Sequence, residues 1–170
     1  MENELKFIFN NVNDWLKFAE AKLAGMVVFN AAILIAIIQV FNNGSHLDLL
    51  IKVAFISQFL SNFLSIFFSL WGLSPIVNRI KLKCGKIDKD DNIFFWRDII
   101  KYDEDKYLIK LKNQIPQLDV SNGWNNHIVN QIIHNSRTTE RKYKIFSLSV
   151  KLTLIGFLAS FIALISWLFF

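Results

Sequence analysis

Cysteine is almost missing from this 170-residue sequence: Cys84 stands alone, so the chain can form neither an internal disulfide nor a thiolate zinc cluster. Proline occurs only at Pro75 and Pro116, which leaves long stretches free to be helical. Charge is scarce too. Asp, Glu, Lys and Arg make up 19 % of the residues, whereas an ordinary soluble domain carries about 25 %. The catalytic signatures are absent as well: no Gly-rich phosphate loop, no HExxH, no nucleophile elbow and no Cys-His pairing. His127 and His134 lie seven apart on one helical face, but no carboxylate or Cys at helical spacing completes a metal site. The sequence therefore calls for no enzyme activity, no metal and no cofactor.

What is present is apolar. Leu23 to Phe41, Val53 to Val77 and Leu152 to Phe170 contain no charged residue, and each is 19 residues or longer. About 20 residues of helix cross a hydrocarbon core of about 30 Å. The expected fold is an all-α integral membrane protein: three transmembrane helices with a cytoplasmic helical domain between helices 2 and 3. Its expected divisions are 1–22 (an N-terminal cytoplasmic helix), 23–77 (two spans and a short outer link), 78–151 (the cytoplasmic domain) and 152–170 (the third span). Four acidic residues precede the first run and no small-residue cleavage site follows it, so it does not read as a signal peptide.

Topology follows from Lys and Arg. The outer link, residues 42–52, holds one of them, residues 78–151 hold 15 and residues 1–22 hold three. Positive residues stay cytoplasmic, which puts the N-terminus and the middle segment inside.

Local chemistry refines the elements. Asn13 or Asp14 is placed to cap a helix that runs into the first span, with Trp15 and Phe18 suited to the interface belt. Asn42-Asn43-Gly44-Ser45 is a turn by composition. The second helix runs from about Leu47 and stops near Pro75. DEDKYLIKLKNQI opens with acidic residues, carries Tyr107, Leu108, Leu111 and Ile115 on one face, and ends at Pro116. Between Trp124 and Phe170 there is no Pro and one Gly, so one helix of about 70 Å is expected.

Two polar patterns interrupt the apolar background. On the second span Ser57, Ser61, Ser65 and Ser69 recur every four residues, with Gln58 and Asn62 beside them. Small residues let helices approach closely, and hydroxyls bond across the contact. Polar side chains in lipid also mark water-filled pathways. The ladder is thus either a packing seam or a pore lining. The second pattern is His127, Asn130, Gln131, His134, Arg137, Thr138 and Arg141, at steps of three and four. Guanidinium groups and amides suit a phosphate and a base edge. A solvated face is the alternative, and it accounts for Lys142, Lys144 and Lys151. Arg97 and Lys101, beside Trp96, form a second basic and aromatic cluster.

The order WLKFAEAK (Trp15 to Lys22), a second span ending Ser74-Pro75, IFFWRDIIKYDEDKYLIKL (Ile93 to Leu111) and RKYKIF (Arg141 to Phe146) before the last span resembles the Pycsar-type transmembrane effectors of bacterial anti-phage defence. That resemblance implies a non-enzymatic protein that impairs the bacterial inner membrane, and with the pore reading of the ladder the favoured expectation is a homo-oligomeric pore or channel. A nucleotide second messenger, made by a partner nucleotidyltransferase or cyclase, would open it or hold it shut. Impairing the membrane would cause abortive infection. Hailong-type channels, held shut by a nucleotide, are a related kind. Ligand-binding candidates are then Arg137, Arg141, His134, His127, Gln131, Arg97 and Lys101. A membrane adaptor without gating and a holin-like toxin are the competing classes.

Overall fold

The computed structural model describes residues 2–43, 48–75, 85–116 and 123–169. Cys84, the Gly44-Ser45 turn and the basic connector before Gly85 lie outside them. The described residues are helical: α1 Glu2–Asn43, α2 Leu49–Leu73, α3 Trp96–Ile99, α4 Glu104–Gln114 and α5 Gly123–Phe169. Three helices are long and apolar enough to cross a membrane, Glu4–Asn43, Leu49–Leu73 and Gly123–Ser166.

α1 begins well before Asn13, the expected cap, and both Asn13 and Asp14 are interior to it. The reason is tertiary. Leu5, Ile8, Val12 and Ala19 are fully or almost fully buried at steps of three, four and seven, so the segment before Asn13 is an amphipathic helix with a core to pack on. Asn13 uses its side chain otherwise, accepting a hydrogen bond from Asn135 at 2.7 Å. α4 follows its apolar period: Tyr107 and Leu111 are buried, and the helix stops just before Ile115 and Pro116.

The chain divides into two compact units. The first comprises Met1–Ala19 and Pro75–Tyr143, and the second Glu20–Ser74 and Lys144–Phe170. α1 and α5 are each unbroken across the division. The first unit has a core of Leu5, Ile8, Val12, Ile93, Tyr107, Leu111, Val129 and Ile132, among others. Trp96 stacks on Tyr143 at 5.2 Å and meets Trp15 at 4.7 Å. Trp15 is thus part of this unit's packing.

The second unit is a three-helix bundle with α2 antiparallel to both neighbours. At one level Gly72 lies against Leu23 and Ile145. Towards the other end of α2, Phe41 meets Phe55 at 6.2 Å, and the Ser160 hydroxyl donates to Gln58 Oε1 at 2.6 Å. α5 enters this unit at Lys144, eight residues before the charge-free run begins at Leu152. A criterion that forbids any charge stops at Lys151, whereas packing continues past it.

Candidate functional site

The polar ladder of α2 is a seam inside the second unit. Gln58, Ser61, Asn62, Ser65 and Ser69 are buried, and Ser57 is exposed. A four-residue step overshoots the helical repeat by about 40°, so a ladder this long turns off the face it started on. Ser61 donates to the carbonyl of Leu152, Ser65 to that of Ser149 at 2.9 Å, and Ser69 to the Ser149 hydroxyl at 3.0 Å. Asn30 of α1 joins them, donating to Ser65 Oγ at 3.2 Å and to the Met26 carbonyl at 2.7 Å. Thr153 Oγ1 lies 2.8 Å from Asn30 Oδ1 and 3.0 Å from Ser65 Oγ. Asn62 differs: it is fully buried, and neither atom of its amide has a hydrogen-bond partner among the described residues.

In the first unit, α1 and α5 enclose an open groove of about 430 Å³. It is lined by Lys6, Phe9 and Asn10 from α1 and by Trp124, His127, Ile128 and Gln131 from α5. Burying Leu5 and Ile8 turns Lys6 and Asn10 outward on α1. Burying Val129, Ile132 and Ile133 does the same for His127 and Gln131 on α5. Trp124 is 61 % exposed, an aromatic face held at the groove. A cation, two amides, an imidazole and an indole are the groups that a phosphate ester carrying a planar base would engage.

Of the residues expected from sequence, His127 and Gln131 border this groove. His134, Arg137, Arg141, Arg97 and Lys101 do not line it. His134 is partly buried further along α5, where its carbonyl accepts from Thr138 at 3.0 Å. Arg137 donates to the Tyr102 carbonyl at 3.3 Å, and Arg141 is partly buried. Arg97 pairs with the buried Glu140 at 3.4 Å. Lys142 is buried, while Lys144 and Lys151 are exposed.

Lys101 bridges the carboxylates of Asp91 and Asp98. Those hydrogen bonds hold its ammonium well above the ordinary lysine value. Burial pushes the Asp91 carboxyl up. The Asp88 backbone N–H, Lys101 and the Tyr102 hydroxyl together outweigh it, and the carboxyl ends below its ordinary value. Burial and the Asp91 carboxylate push the Tyr102 phenol up to about 12. This cluster fastens the segment before α3 to the turn that follows it.

Lys6, Phe9, Asn10 and Trp124 were not singled out from sequence. The available signal was the register of α1: once Leu5, Ile8 and Val12 are read as its buried face, Lys6 and Asn10 fall one turn apart on the opposite side.

Three helices long and apolar enough to cross a membrane define the class as a multi-pass membrane protein. The chain matches the family described as the Pycsar effector protein domain over residues 4–169, and it belongs to that family. Effectors of this family are signalled by cyclic nucleotides from a partner cyclase, and membership makes the chain an anti-phage membrane effector. No curated protein and no solved structure matches the chain.

Proposed function

We propose that this protein is a homo-oligomeric membrane effector of the bacterial inner membrane, with its N-terminus and first unit cytoplasmic. A cyclic nucleotide bound between α1 and α5 alters how the three spans pack and impairs the membrane. The groove carries the reading. Its volume of about 430 Å³ suits one mononucleotide, and its lining offers Lys6 for the phosphate, Trp124 for the base face and Asn10 and Gln131 for the base edge. Both walls belong to helices that continue unbroken into the bundle, so a change in their separation has a covalent route to the spans. The serine ladder serves this reading as the seam that holds the bundle closed, because its hydroxyls are bonded within one chain.

Calorimetry of the full chain in detergent, titrated with the cyclic mononucleotides of adenine, guanine, cytosine and uracil, tests the proposal. Lys6→Ala removes a charge-assisted contact worth about 1.5 to 3 kcal/mol, roughly tenfold to hundredfold in affinity. Trp124→Ala removes stacking worth about 1 to 3 kcal/mol. Unchanged binding in both variants, with binding lost in Arg137→Ala, would move the site along α5.

A further inference from the structure

Lys151 is out of place for a lipid-facing residue. Its neighbours Ser149 and Leu152 offer the backbone carbonyls that accept the hydroxyls of Ser65 and Ser61. Those serines are the seventeenth and thirteenth of the 25 residues of α2. The level is therefore the middle of the span: about 12 Å of helix separates Ser65 from Leu73, and about 18 Å separates Ser61 from Leu49. α1 agrees, since Asn30 bonds Ser65 from the middle of its own charge-free run. Lys151 is nonetheless exposed, and no described residue forms an ion pair or hydrogen bond with its ammonium.

A lysine near a helix end reaches the interface by extending its stem, but here the nearer end of α2 is about 12 Å away, a little over two turns of helix. Ionisable side chains at such depth face a protein interior or water rather than hydrocarbon. Within one chain Lys151 faces neither. It has company on its face: Lys144 and Ser147 lie seven and four residues earlier on α5, and both are exposed. Further on, Ile155, Leu158 and Ile162 keep that face apolar. Of the other polar side chains of the bundle, Ser61, Ser65 and Ser69 with Asn30 and Thr153 are already bonded to one another or to nearby backbone, and Asn62 is fully buried among them; Ser57 is exposed but carries no charge.

We infer that Lys151, with Ser147 and Lys144, lines a water-filled path for anions formed between copies of this chain. The inference rests on the proposed membrane-impairing assembly. It moves the polar lining from α2 to α5 and fixes the sign of the permeant ion, because rings of lysine favour anions.

Two measurements on the full chain decide it. In liposomes under a KCl gradient, with the four cyclic mononucleotides supplied in turn, the wild-type current prefers chloride. Lys151→Gln loses that preference and Lys151→Glu reverses it. An unchanged reversal potential in Lys151→Glu overturns the inference. The second measurement needs no current. On a Cys84→Ser background, Lys151→Cys in membrane vesicles is exposed to a membrane-impermeant trimethylammonium methanethiosulfonate. Phe63→Cys, on the exposed apolar face of α2, serves as the lipid-facing control. Water at position 151 gives a reaction at least about tenfold faster than the control; equal rates overturn the inference even where the wild type conducts. Fast labelling without any current in any variant leaves the water path standing and defeats the channel reading instead.

Discussion

Thr153 Oγ1 lies 2.8 Å from Asn30 Oδ1, tying α5 to α1 across a point where α2 also joins through Ser65. Three helices thus share one polar node in the middle of the bundle, where the alternative to a protein partner is hydrocarbon. Interhelical bonds of this kind average about 0.6 kcal/mol and reach about 1.7. Thr153→Val should therefore cost about 1 kcal/mol, while Thr153→Ser should be close to neutral. Denaturant unfolding of the two variants in detergent checks this. A Thr153→Val chain as stable as wild type would show that Asn30 re-pairs elsewhere.

Asn62 should behave in the opposite way. Its amide is fully buried, with neither atom bonded among the described residues, and leaving such a group unsatisfied costs about 1 to 3 kcal/mol. Leucine of similar shape removes that cost. Asn62→Leu should raise the midpoint of unfolding, and a lower midpoint would mean that the amide has a partner when copies assemble.

Glycine positions separate tolerant from intolerant contacts. A Cβ at Gly72 meets the Leu23 and Ile145 side chains, with its shortest approach at 2.9 Å to Leu23 Cδ1, the far end of a side chain. At Gly156 it meets Ser61 Cβ at 3.1 Å and the Gln58 Cα at 3.3 Å. A leucine tip turns aside, whereas backbone moves only with its helix. Gly156→Ala should cost about 1 to 3 kcal/mol and more than Gly72→Ala. Comparing unfolding midpoints of the two variants checks the order.

The period-3.6 elements were legible. α4 shows its buried Tyr107 and Leu111 in sequence, and the lack of proline after Trp124 announced α5. The start of α1 was not, because Asn13 and Asp14 have cap chemistry and only the core formed with Val129 and Ile132 overrides it. The groove was half legible. His127 and Gln131 share a face that any helix drawing shows. Lys6 and Asn10 reach the same groove from over a hundred residues away, which no local pattern encodes. Lys151 shows a related gap: charge alone puts it at the end of the segment 78–151, while the hydrogen bonds of Ser149 and Leu152 set it beside Ser65 and Ser61 of α2.

Acid should loosen the first unit through Asp91. Its carboxyl is held below the ordinary value of 3.8 by Lys101, Tyr102 and the Asp88 N–H despite burial. A depressed carboxylate adds stability that is present above 3.8 and is lost as pH falls through the folded value. Lys101 works in the other direction. Its raised value adds stability fully present below its ordinary 10.5 and lost as pH rises from there through the folded value. Between the two the cluster is intact, so stability should show no dependence on these groups near neutrality and should fall on the acid side. Asp91→Asn should flatten that acid limb. Lys101→Met should cost about 3 kcal/mol at neutral pH, because it leaves Asp91 charged and buried. Hydrogen exchange of the Asp91 to Tyr102 segment, followed from neutral pH down to about 2, reads both effects after correction for intrinsic rates. An acid limb as steep in Asp91→Asn as in wild type would assign the loosening to another carboxylate.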